Sequence, residues 1–195
     1  MKTPLNFFLL FGFIAIVACN NSSKDSQTQN MPESNEFELA SQEISYSTDS
    51  TDMKGYLAYD ANHDGKRPGV IVIHEWWGHN QYVRDRANKL AELGYVAFAL
   101  DMYGDGKVAS HPEDAGKFSG MVMSNMDEAK ARFEAAVASL KANENVDVEN
   151  IGAIGYCFGG SVALTMANAG YDLEAVAAFH PDHFSYLNAS VGYMF

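Results

Sequence analysis

The segment Gly155-Tyr156-Cys157-Phe158-Gly159-Gly160 constrains this chain more than any other, because it joins two regular elements with no room for a loop. Before it, Ile151 to Tyr156 is a run of apolar and small residues of the kind found in strands covered on both faces. After it, Ser161 to Ala169 reads as helix and Gly170 as its stop. A strand that becomes a helix through such a corner brings Gly155 and Gly159 together, where β-carbons would collide. The helix then has to fold back over the sheet, so the corner demands layers of helix and parallel strand.

The rest of the chain repeats the alternation. Gly69 to Ile73 and Tyr95 to Leu100 are predicted as further buried strands, the first preceded by the turn-rich stretch from Asn62 to Pro68. Between them, Val83, Ala87, Leu90 and Leu93 recur three and four apart. That spacing predicts an amphipathic helix over Tyr82 to Leu93, closed by Gly94. Asn125 or Asp127 caps a longer helix whose apolar face is Ala129, Phe133, Ala136, Val137 and Leu140. Ala175 to Phe179 is one more apolar strand. Upstream, polar and apolar residues alternate over Glu43 to Thr48 and Lys54 to Tyr59, as in an antiparallel hairpin. The fold class is therefore α/β, a doubly wound and mostly parallel sheet with an N-terminal antiparallel hairpin.

The amino terminus follows other rules. Lys2 precedes a run from Leu5 to Ala18 in which Asn6 is the one polar side chain, the pattern of a signal-peptide core. The run is shorter than the ~20 residues a spanning helix needs. It ends in Ile16-Val17-Ala18-Cys19, which resembles the lipobox of bacterial lipoproteins, with Cys19 as the lipidated residue. Residues 1–18 are thus expected as a signal peptide. Residues 19–36, nearly devoid of apolar side chains, are expected as a flexible tether, and 37–195 as the folded domain. Asn20 after the modified cysteine favours the outer over the inner membrane, so the expected location is a lipid anchor in the cell envelope. The chain has two cysteines, and acylation of Cys19 leaves Cys157 with no intramolecular disulfide partner. A net charge of −12 without any Lys or Arg cluster excludes nucleic acid as a partner and leaves the lipid as the sole membrane contact.

Two segments carry chemistry. At the strand-to-helix corner, Cys157 occupies the position of a nucleophile elbow, with its sulfur at a helix N-terminus where the dipole and unbonded N–H groups favour a thiolate. The N–H of Phe158 is then a candidate oxyanion donor. The second segment, His74-Glu75-Trp76-Trp77-Gly78, lies at the carboxyl end of the first parallel strand, where ligands gather in open α/β sheets. A glutamate there is ordinarily a surface or capping residue, but beside the corner Glu75 becomes a candidate catalytic group.

These two segments, together with Arg84-Asp85-Arg86-Ala87, Leu90-Ala91, Gly94-Tyr95-Val96-Ala97 and Asp101-Met102-Tyr103-Gly104, resemble the dienelactone hydrolases, from about Met53 to His180. The resemblance implies an α/β-hydrolase type of sheet in which the strand ending at Glu75 neighbours the one ending at Cys157. It implies hydrolysis of a small ester or lactone through a Cys-His-Asp triad, with Glu75 matching a glutamate that contacts the resting thiol. It also implies an oxyanion hole from the N–H groups of Trp76 and Phe158, and neither metal nor organic cofactor. Trp77, Tyr103 and His180 are candidate pocket residues.

The chain departs from the family in two places. Asp105 and Gly106 follow Tyr103-Gly104 where relatives that bind dienelactone carry an arginine, so dienelactone itself is not the expected substrate. The family's Asp and His follow two further strands, for which the stretch from Cys157 to Phe195 has no room, so the last strands and the rest of the triad are expected to be missing. Asp172 is expected at the opposite sheet edge. His180, Asp182 and His183 return to the catalytic edge, and His180 matches a family position other than the catalytic histidine. A non-catalytic cell-envelope binding lipoprotein on a hydrolase scaffold is the competing expectation. A redox sensor lacks a resolving cysteine in the folded domain.

Overall fold

The computed structural model describes residues 36–181. The predicted signal peptide, Cys19 and nearly all of the predicted tether lie outside the described residues, as do Asp182, His183 and everything after them.

Six strands form one sheet in the order β1-β2-β4-β3-β5-β6. β1 (Leu39–Ser47) and β2 (Asp52–Asp60) make the expected antiparallel hairpin, with β1 starting earlier and β2 longer at both ends than the alternation alone indicated. β2 also runs antiparallel to β4 (Val96–Leu100), and from there β3 (Arg67–Ile73), β5 (Val146–Tyr156) and β6 (Ala175–Phe179) join in parallel. Helices lie on both faces. α1 (Gln81–Glu92) presents Val83, Ala87 and Ala91 to a layer of alanines and Val72. On the opposite face, α3 (Met126–Lys141) and α4 (Phe158–Asn168) cover Leu57, Ile71, Ile73 and Phe98 with Phe133, Leu140, Val162 and Met166. Each of these large side chains, once buried, contributes about 1.5–3 kcal/mol. Gly55 makes room for Phe98, whose ring tip would lie 2.2 Å from a β-carbon at that position.

Where structure and pattern differ, local chemistry explains it. β5 begins at Val146 rather than Ile151 because a register shift at Pro68/Gly69 lets Val146 and Asp147 pair before a bulge interrupts the ladder. α4 begins at Phe158, directly after the corner, rather than at Ser161, because three consecutive small residues mask the periodicity there. α2 (Pro112–Ser124) has no counterpart in the periodicity. Its signals are Pro112 in the first turn with Glu113 and Asp114 behind it, and Gly116 and Gly120 dilute the apolar face to Ala115 and Val122.

Candidate active site

Residue 157 is held in a conformation that L-residues rarely adopt. Cys157 has φ 53° and ψ −119° and is the N-cap of α4, so Phe158 is the first helical residue and its N–H belongs to the unbonded first turn. Glycine on either side permits the corner: a β-carbon on Gly159 would lie 2.4 Å from the Ile73 carbonyl oxygen. The half-buried Cys157 is braced by its own N–H, which donates to the Phe179 carbonyl at 2.9 Å, and by its carbonyl, which accepts from Ser161 N at 3.2 Å.

β3 and β5 pair with Ile73 opposite Gly155, so Glu75 and Cys157, each two residues further on, leave adjacent strands side by side. The neighbouring of these two strands, about 4.8 Å apart, is the one that the resemblance had implied. Glu75 is half-buried, and its charge reaches Tyr156, whose hydroxyl is raised above its ordinary pKa by burial and by the nearby Tyr82 and Glu75, against an opposing pull from Arg86.

Trp76 and Trp77 form a turn that Gly78 closes by donating to the Glu75 carbonyl at 3.1 Å. Two buried side chains grip the turn from below. The Nδ1 of His74 lies 2.6 Å from the same Glu75 carbonyl, and its Nε2 accepts from Met102 N at 3.2 Å. The Tyr103 hydroxyl donates to the Trp76 carbonyl at 2.8 Å. Burial pushes the Tyr103 hydroxyl well above its usual pKa, so it stays protonated and donates. Burial holds His74 below its ordinary value, although its bond to the Glu75 carbonyl and the nearby Asp101 pull the other way. His74 stacks on Phe158 at 5.8 Å and meets Tyr103 edge-on at 4.7 Å.

The loop that carries Tyr103 is wound around one carboxylate. Asp101, fully buried, accepts from the backbone N–H groups of Lys54, Tyr103, Gly104 and Gly106. Arg132 of α3 clasps the loop from outside, bonding the Met102 carbonyl, Glu128 and Thr51. His74, Asp101 and Arg132 are absent from the sequence-derived site. A histidine directly before the strand-end glutamate and an aspartate ending the next strand were the available signals.

Of the candidate pocket residues, Tyr103 alone borders the cavity of about 480 Å³ that opens beside it, and that cavity runs toward Thr51, Phe118 and Arg132. Trp77 instead packs edge-on against Trp76 at 5.3 Å. His180 is exposed, with φ 50°, just beyond β6 at the edge where β5 ends. Asp172 is exposed in the turn before β6, close to the Glu174 N–H that bonds the Ile151 carbonyl near the start of the parallel pairing, which is the edge away from Cys157. Among the described residues, no group of three or more His, Cys, Asp or Glu side chains is placed to hold a metal ion.

Residues 53–191 match the dienelactone hydrolase family. The chain belongs to that family. The match begins in β2 and takes in both strand ends and the Asp101 loop. The dienelactone hydrolase-like architecture recurs in solved structures: m3DLH, 37% identical, superposes with a TM-score of 0.71 over 73% of this chain and 60% of that one. A dienelactone hydrolase-like promiscuous phosphotriesterase, P91 from metagenomic libraries, is 33% identical with a TM-score of 0.70, over 73% of this chain and 59% of that one. Protein usf of Aquifex pyrophilus is 35% identical over 136 residues, 68% of this chain and 57% of that protein. The chain thus spans little more than half the length of the proteins it matches.

Proposed function

We propose that this member of the dienelactone hydrolase family cleaves small esters or lactones through Cys157. The observation that carries the reading is the backbone at residue 157, a left-handed φ at a helix N-cap, with Glu75 following the end of the neighbouring strand. A structural cysteine has no need of a strained corner, and strain of this kind concentrates at reacting groups.

In this reading the Sγ of Cys157, as thiolate, adds to the substrate carbonyl carbon. Negative charge collects on the carbonyl oxygen, which lies between the N–H groups of Phe158 and Trp76. Collapse breaks the ester C–O bond, expels the alkoxide with the bonding pair to take up a proton and leave as the alcohol, and leaves a thioester on Cys157. Hydrolysis of the thioester needs a general base, which the family resemblance assigns to a histidine that follows two further strands. Glu75 serves as the partner of the resting thiol, keeps it protonated until substrate arrives and then takes up its proton. The same reading has residues 1–18 as a signal peptide, Cys19 as the lipidated residue and 19–36 as a tether, so that the domain works from the cell envelope.

The test is single-turnover acylation by 4-nitrophenyl acetate followed by mass spectrometry. One acetyl group on Cys157, absent from Cys157→Ala, supports the hydrolase. Folded protein that no activated ester or lactone acylates would favour the binding lipoprotein instead.

A further inference from the structure

We propose that His74 is the positioning residue of the oxyanion site, a neutral bridge that fixes the plane of the Glu75–Trp76 peptide and so aims the Trp76 N–H. The inference rests on the reading of that N–H as an oxyanion donor. It goes further by naming what holds it in place.

The hydrogen-bond partners define the histidine's form. Met102 N–H can only donate, so Nε2 must accept; the Glu75 carbonyl can only accept, so Nδ1 must carry the proton. Both partners therefore select one tautomer of the uncharged ring. A peptide unit is planar, so pinning the Glu75 oxygen at 2.6 Å fixes the direction of the Trp76 N–H on the same plane. The Gly78 N–H bonds that oxygen from the turn side, and the Tyr103 hydroxyl pins the next peptide through the Trp76 carbonyl. His74 also governs the second donor. Its ring lies against Phe158, and its own carbonyl oxygen would be 2.6 Å from a β-carbon on Gly159, so the first turn of α4 is seated on His74. One residue, 1% exposed, thus braces both N–H groups, the first through its ring hydrogen bond and the second through ring stacking and its main chain.

The experiment compares two reactions of Cys157. Acylation by 4-nitrophenyl acetate forms the C–S bond through an oxyanion and expels 4-nitrophenolate with the bonding pair. Alkylation by iodoacetamide displaces iodide and builds no oxyanion. His74→Phe keeps an aromatic ring of similar volume and removes both bonds, whereas His74→Gln keeps a donor and an acceptor. The expected result for His74→Phe is acylation slowed about tenfold or more, since small misalignments of donors are costly. Alkylation should be unchanged, and His74→Gln should recover part of the loss. Equal acylation in wild type and His74→Phe would overturn the proposal. So would acylation and alkylation falling together in both variants, the mark of general damage to the fold. Wild-type protein that is alkylated but never acylated would refute the underlying hydrolase reading, and this inference with it.

Discussion

A β-carbon on Gly155 would sit 2.0 Å from the carbonyl oxygen of Gly159, so these two glycines hold the strand and the helix of the Cys157 corner in backbone contact. Nothing flexible can yield there, because the obstructing atoms are main chain. Gly155→Ala or Gly159→Ala is expected to cost about 3–5 kcal/mol, and urea titration would measure it. The control is Gly120→Ala in α2, where a β-carbon meets nothing within 4 Å. That change should stabilise by about 0.5–1 kcal/mol.

Asp101 gathers four backbone donors in a fully buried carboxylate, and replacing it leaves those N–H groups without an acceptor. Asp101→Ala is expected to lose about 3 kcal/mol or more, with Asp101→Asn in between because its amide retains one acceptor oxygen. Hydrogen exchange at Tyr103, Gly104 and Gly106 should accelerate in both variants. Unaltered protection would mean that the loop is held by Arg132 alone.

Glu128 is subject to opposing influences: burial raises its pKa, and hydrogen bonds from Arg132, Ser50, Thr51 and Thr48 outweigh that to hold it at about 2. A depressed carboxyl stabilises the fold above its unfolded value of ~4.3, and that contribution disappears as pH falls toward 2. The stability difference between wild type and Glu128→Gln should be constant above about pH 5 and shrink steadily below pH 4. Parallel curves down to pH 2 would exclude the network as its source.

His79 behaves in the same direction for a different reason. Burial, then the neighbouring His74 and Arg84, lowers its pKa to about 4, and its Nδ1 lies 3.2 Å from the Leu100 carbonyl oxygen. Below its unfolded value of ~6.5 the unfolded chain takes up the proton first, so stability is full above that pH and declines until about pH 4. Replacing His79 by Asn should flatten the melting-temperature profile between pH 6.5 and 4. The slope that persists belongs partly to His74, whose pKa is also lowered by burial.

The elements legible in sequence were those whose signal is local. β6 appeared at its observed limits because five consecutive apolar residues stand between turn residues, and α3 because Phe133 and Leu140 recur at helical spacing. α2 went unseen because its buried face amounts to Ala115 and Val122. The corner was legible because glycine spacing marks a strand-to-helix turn, and the place of Glu75 because it lies just past the end of the neighbouring strand. The roles of His74, Asp101 and Arg132 were not, because each depends on a partner 28 or 30 residues away, such as Met102, or on loop amides that only the folded chain gathers. The 480 Å³ cavity is hidden for the same reason, being enclosed by the β1–β2 turn, the Asp101 loop and two helices.

The conformation of Cys157 sets two selective demands against each other. Its positive φ is one that glycine adopts at no steric cost and that any other residue occupies at a penalty of order 1–3 kcal/mol. Cys157→Gly would therefore melt later than the natural chain while losing the sulfur on which the proposed chemistry depends. Under the proposed chemistry, directed evolution of this scaffold for heat tolerance alone would drift toward an inert protein, and any such campaign has to screen for thiol acylation at every round.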